Sequence, residues 1–246
     1  YSYDVFQQLA SVKEFTGVFP NTTLYATTTY TYDVLGNIEA VRDSSGNMTA
    51  MTFDALGRQA RLEDPDMGTW AYIYDALGNL VQQEDARGAQ LAFSYDPLNR
   101  VTGKWDSATE KYLATYGYDE GLFGIGQRTE TAFPGGTINY SYDARGRLST
   151  EVYTLEDVGN YRLAYTYDAL NRQESITYPD NETVTQTYDT RGMPDNLSSD
   201  LHNELVQHTQ YNTLGQMTTL ALGNGTPVHY DYYTPEEANG RIKQVE

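Results

Sequence analysis

Three histidines, His202, His208 and His229, and no cysteine are the soft metal ligands this chain has to offer. Zinc chemistry needs His or Cys at close, fixed spacing, and no HExxH or similar pair joins these histidines to a carboxylate set. His202 and Glu204 stand two apart, which on a strand is one face, but two donors alone read as surface residues. Asp64 and Asp66 flank Pro65 in EDPDMGTW. Paired carboxylates suit calcium or glycoside hydrolysis, yet in a Pro-Gly stretch Asx bonding within a turn accounts for them better. No G-x-S-x-G elbow, Walker loop or G-x-G-x-x-G after a strand is present. The expectation is therefore no catalytic residue, no metal, no cofactor and no enzyme activity.

One pairing of residue types does recur at fixed spacing. YTYDVLGN, MTFDALGR, YIYDALGN and FSYDPLNR place their second aromatics at Tyr32, Phe53, Tyr74 and Tyr95, 21 residues apart. The aromatic returns at Tyr118, Tyr142, Tyr167, Tyr188 and Tyr211, with an earlier copy at Tyr3 and a degraded one near Tyr232. The acid that follows it is Asp33, Asp54, Asp75, Asp96, Asp119, Asp143, Asp168 and Asp189, with Asn212 as the departure. An acid repeated this often has a structural task. A unit of this length holds two short strands and two turns and buries its apolar face only against its neighbours.

The elements that position these residues follow from the clearest unit. Trp70, Tyr72 and Tyr74 alternate with Ala71 and Ile73, the period of a strand. Asp75 to Asn79 is a turn in which Asp bonds to amides ahead of it and Gly78 takes a positive φ. Leu80 to Glu84 returns, and Asp85 to Ala89 turns again. About eleven such hairpins, ~22 strands, predict an all-β antiparallel meander that curls under its own twist. The turn positions are Leu35, Gly36, Leu56, Gly57, Leu77, Gly78, Leu98 and Leu170, with Asn99 and Asn171 replacing the glycine in two copies. Each turn leucine is expected to fold back onto the aromatics. Arg145 and Arg191 replace it in two units, which are expected to be weaker. Extra length, read as loop, lies at residues 11–29 around Pro20 and at 154–160; EGLFGIGQ, residues 120–127, is expected either to pack Leu122, Phe123 and Ile125 inward as a plug against the sheet or to present them as a contact site. TPEEAN, residues 234–239, is expected to form one helical turn.

Tyrosine supplies 23 of the 246 residues and glycine 21, a strand-and-turn composition. Thirty-four acids against 16 bases give a net charge of −18, which repels phosphate backbones and excludes nucleic acid as a partner. No apolar run nears the roughly 18 residues of a helical membrane span. The sequence starts and stops inside the pattern, so residues 1–246 are expected to be a single module cut from a longer chain. Terminal hairpins then offer edges for edge-to-edge self-association.

The recurring YxYDxLGR/N element, as in YTYDVLGN, YIYDALGN, YSYDARGR and YTYDALNR, resembles the tyrosine-aspartate repeat of the Rhs family, shared by the BC components of insecticidal Tc toxins and by teneurins. The resemblance covers essentially the whole chain and implies a β-sheet ribbon spiralling into a hollow shell. In bacterial members such a shell encloses a C-terminal toxic polypeptide, which together with the remainder of the chain is then the partner. The family's self-cleaving region and toxin have no counterpart here. The resemblance implies a secreted or cell-surface, bacterial protein. A second reading is a carbohydrate- or receptor-binding surface, with Trp70 and Trp105 as the candidate ligand contacts.

Overall fold

The computed structural model describes residues 1–18, 21–234 and 240–246. Among these, every regular element is a β-strand, 22 in all. No helix among them is long and apolar enough to cross a membrane. The chain divides into two compact units, Tyr1–Thr115 and Tyr116–Glu246.

The first unit contains β1 (Ser2–Tyr3), β2 (Leu9–Val18), β3 (Asn21–Tyr32), β4 (Ile38–Arg42), β5 (Met48–Phe53), β6 (Gln59–Asp64), β7 (Gly68–Tyr74), β8 (Leu80–Glu84), β9 (Gln90–Tyr95), β10 (Val101–Asp106) and the start of β11 (Lys111–Tyr118). Each strand pairs antiparallel with the next. The second unit holds β12 (Arg128–Phe133), β13 (Gly136–Tyr142), β14 (Leu148–Leu155), β15 (Gly159–Tyr167), β16 (Gln173–Thr177), β17 (Thr183–Tyr188), β18 (Pro194–Ser199), β19 (Asn203–Tyr211), β20 (Met217–Leu222), β21 (Pro227–Tyr232) and β22 (Ile242–Val245). From β12 onward these also pair antiparallel in order. In such a meander successive turns fall on alternate edges. The tyrosine-aspartate turns of each unit therefore share one edge of it, and the linking turns share the other.

One turn geometry recurs because one sequence recurs. In Asp75–Asn79 the Gly78 N–H donates to the Asp75 carbonyl (3.2 Å) and the Asp75 N–H to the Asn79 carbonyl (2.9 Å). Gly78 sits at φ +94°, while Asn99 and Asn171 hold the same place at +61° and +66°. This is a type I turn closed by a residue in the left-handed region, which leaves a bulge beside it. The pairing register accordingly slips just before the aromatic, between Ile73 and Tyr74 and again between Thr31 and Tyr32 and between Thr166 and Tyr167. The bulge is what brings each tyrosine round to meet the preceding hairpin.

No apolar side chain among the described residues is fully buried; the most enclosed side chains are Thr129, Ser199 and Thr209. Half-buried aromatic faces stand where a closed core would be. Three expectations are corrected here. The turn leucines do not fold back: Leu35, Leu56, Leu77, Leu98, Leu170 and Leu214 remain 66–75% exposed. Their amides point inward to the aspartate carboxylate, as in Leu77 N–H to Asp75 Oδ1 at 2.9 Å, and this leaves the side chain facing out. The lobe at 120–127 does not pack inward either, since Leu122 and Ile125 are 78% and 85% exposed. It is closed by main chain instead: a Cβ on Gly124 would lie 1.8 Å from the Glu120 carbonyl oxygen, and the Gly126 N–H donates to Asp119 Oδ1 at 2.6 Å. Finally, the extra length is strand and not loop over residues 11–18 and 21–29, where β2 and β3 pair from Ser11 with Thr29 out to Val18 with Asn21. The expected helical turn at 234–239 lies, after Thr234, outside the described residues.

Candidate functional site: the tyrosine-aspartate turns

At Asp33, Asp54, Asp75, Asp96, Asp143 and Asp168 the aspartate does two things with one carboxylate, whereas Asp189 takes its Oδ2 partner from Arg191, two residues on, and Asp119 accepts the Gly126 N–H, seven residues on. Oδ1 accepts the amides two and four residues on, as Asp33 does from Leu35 and Asn37, both at 2.9 Å. Oδ2 accepts from the side chain four residues on, which is Asn or Arg. Asn37 and Asn79 donate Nδ2 at 2.9 and 3.0 Å, and Arg58, Arg100, Arg147 and Arg172 donate Nε at 2.6–2.7 Å. Hydrogen bonds to the charged form favour it. The amide of Asn37 is the largest influence holding Asp33 below the usual carboxylate range, and that of Asn79 does the same for Asp75. For Asp54 the leading cause is the Arg58 backbone amide, and for Asp143 the Arg147 side chain. Asn212 reproduces the arrangement without charge, accepting from Leu214 and Gln216 at 2.9 and 3.0 Å.

The tyrosines reach backward. Tyr32, Tyr74, Tyr95, Tyr142, Tyr167, Tyr188, Tyr211 and Tyr232 donate their hydroxyls to the carbonyls of Leu9, Gln59, Leu80, Arg128, Leu148, Gln173, Pro194 and Met217, at 2.6–3.0 Å. Every acceptor is the first residue of the return strand of the preceding hairpin. Phe53 has no hydroxyl to offer Ile38, the equivalent residue. Burial raises the Tyr95 and Tyr167 phenols above their ordinary value. Tyr165 rises furthest, first through burial and then because its hydroxyl donates to Glu151 Oε2 at 2.9 Å.

The arginines reach forward. Arg58 lies over the Tyr74 ring at 4.8 Å and donates Nη1 to the Asp75 carbonyl at 2.9 Å. Arg147 lies over Tyr167 at 4.6 Å and also bonds Asn171 Oδ1 at 2.9 Å; Arg172 lies over Tyr188 at 4.0 Å. A guanidinium suits this position because it forks onto a carboxylate and stacks on a ring at once. Asn79 makes the shorter version, donating to Asn99 Oδ1 at 3.0 Å. Sequence reasoning named the aromatic, the acid and the turn pair but not this fourth residue. Its restriction to Arg or Asn in most copies was the available signal. Arg145 and Arg191, which stand in place of the turn leucine, bond onward to the Ala169 and Asn212 carbonyls, both at 3.3 Å.

The remaining candidates lie apart. The Trp70 indole N–H is bonded to the Met67 carbonyl at 3.1 Å. The Trp105 ring lies against Gly103, where an added Cβ would be 2.1 Å from it. His208 pairs with Asp195, and His202 lies 4.0 Å from Glu182. Among the described residues no group of three or more His, Asp or Glu could hold a metal ion.

The geometry defines a tandem β-hairpin repeat protein whose units are tied backward by tyrosine and forward by arginine. The RHS Repeat family model matches residues 53–90 and again 74–111, the second window starting one 21-residue period after the first. Over residues 53–111 the chain is thus similar to the Rhs, or tyrosine-aspartate, repeat family. Its fold is similar to part of the crystal structure of TcdB2-TccC3 without its hypervariable C-terminal region, at TM-score 0.82 and 16% identity over 99% of this chain and 14% of that one. It is similar too to TcdB2-TccC3-Cdc42 (TM-score 0.83, 16%, 99% and 14%) and to a mutant Photorhabdus luminescens Tc holotoxin pore (0.80, 16%, 99% and 13%). The chain thus spans about a seventh of each of those chains. No curated protein matches the sequence.

Proposed function

We propose that residues 1–246 act as one non-catalytic module, a section of the wall of a hollow β-shell that encloses or presents a C-terminal polypeptide of a longer, secreted bacterial protein. The observation that carries this reading is the two-way tie between hairpins. Polar side chains that elsewhere would converge on a substrate are here spent, copy after copy, on joining one hairpin to the next. A wall needs such continuity, and half-polar tyrosine faces tolerate a hydrated interior. The fold shared with the TcdB2-TccC3 structures supports the same reading. The partners are then the rest of the same polypeptide and whatever it encloses.

Limited proteolysis of the parent protein tests it. The C-terminal polypeptide should resist trypsin in the intact chain and become sensitive when the wall is loosened by Tyr167→Leu. Equal digestion of that polypeptide in the intact parent and in isolation would remove the basis for a wall.

A further inference from the structure

The turn leucines of the first unit make an apolar rail. Phe6, Leu35, Leu56, Leu77 and Leu98 occupy the same position in the five turns joining β1 to β2, β3 to β4, β5 to β6, β7 to β8 and β9 to β10. They therefore lie along one edge, one rung for every two strands, about 10 Å apart. All five are largely exposed. The residues beside them, Val5, Val34, Ala55, Ala76 and Pro97, carry no charge. The nearby carboxylates are turned inward: Asp4, Asp33, Asp54, Asp75 and Asp96 each accept two turn amides through Oδ1. The opposite edge differs, presenting Ser44, Ser45, Asp66, Met67 and Arg87. In the second unit the position alternates between Arg145, Leu170, Arg191 and Leu214, and there the arginines bond the following turn. The leucines are not needed for that bonding, since the turn closes through Asp and Gly alone.

We infer that this rail is a self-association surface that seats against the same rail of a second copy of the chain. Two observations select that occupant. An array of apolar rungs at two-strand pitch is matched, rung for rung, by another ribbon with the same repeat. The area is also sufficient: with on the order of 100 Å² of apolar surface per rung, the five rungs and two flanking valines supply roughly 700 Å², near the ~800 Å² per partner of a standard interface. The inference goes beyond the wall reading and is independent of it. Because each copy carries −18, association should strengthen with salt, which screens the repulsion between copies and leaves the apolar contact intact.

Sedimentation velocity on the chain, from about 1 to 100 µM at low and high ionic strength, decides the matter. The chain should dimerise, more tightly at high salt, and Leu56→Asn with Leu77→Asn should weaken dimerisation at least tenfold. Leu170→Asn with Leu214→Asn, in the second unit, should leave it unchanged. Leu35→Asn with Leu98→Asn reads the same rail should the first pair fold poorly by circular dichroism. A chain monomeric throughout at high salt overturns the inference. So does dimerisation that persists in the Leu56/Leu77 variant, which would point to pairing of strand edges instead.

Discussion

Phe53 and Tyr95 offer a reciprocal exchange of one atom. Tyr95→Phe deletes a hydroxyl that donates to the Leu80 carbonyl at 2.7 Å, leaving ring and backbone in place. A hydrogen bond of this kind contributes about 0.5–1.5 kcal/mol net. Phe53→Tyr does the opposite, since the ring stands where eight tyrosines elsewhere reach the first residue of a return strand, here Ile38. Both positions lie in the unit 1–115, so one melting transition reads both. At roughly 2–4 °C per kcal/mol for a chain of this size, Tyr95→Phe should lower Tm by a few degrees and Phe53→Tyr raise it by a similar amount. The sites are two hairpins apart, and the double variant should return near the starting value. Shifts of the same sign, or a Tyr95→Phe variant as stable as the parent, would refute the claim that the hydroxyl ties hairpin to hairpin.

Gly78→Ala should destabilise by about 1–2 kcal/mol because Gly78 holds φ +94°, whereas Gly78→Asn should do so less, as Asn99 and Asn171 already occupy that position; urea denaturation compares them. Arg147→Lys keeps the charge but loses the ring contact with Tyr167, about 0.5–1 kcal/mol, and hydrogen exchange should rise across β14 to β16 and little elsewhere. The carboxylates Asp33, Asp54, Asp75 and Asp143 have folded pKa values below their unfolded ones, so their contribution is present above about pH 4 and lost as pH falls further. Tyr95, Tyr165 and Tyr167 have raised values, so their contribution is complete below about pH 10 and lost as pH rises through the folded values. Tm against pH should therefore show a plateau between these limits, and a maximum near pH 4 would contradict it.

The strands and turns were legible because Asp and Gly close the tyrosine-aspartate turn by local bonds that need no tertiary context. Leu77 was misjudged for the opposite reason: hydrophobicity suggests burial, but the direction of a side chain is set by where its amide is bonded. Residues 11–29 read as a loop around Pro20, yet the chain on either side pairs from Ser11 with Thr29 out to Val18 with Asn21, a register that no local pattern reveals. The forward reach of Arg58 and Arg147 depends on the ring of the next copy, 16 and 20 residues on, as with Tyr74 and Tyr167. Composition carries no trace of such a contact.

A hairpin whose tyrosine completes its predecessor and whose arginine completes its successor has no preferred count. Removing one whole period, such as residues 54–74, joins Phe53 to Asp75 and restores a turn of the same kind with a tyrosine at the next position. Removing half a period reverses every later strand and carries each tyrosine to the wrong edge. Repeat number can thus change by whole periods under recombination, while smaller insertions must fall in a turn, as the lobe at 120–127 does. The same rule sets how an engineer would lengthen or shorten the ribbon.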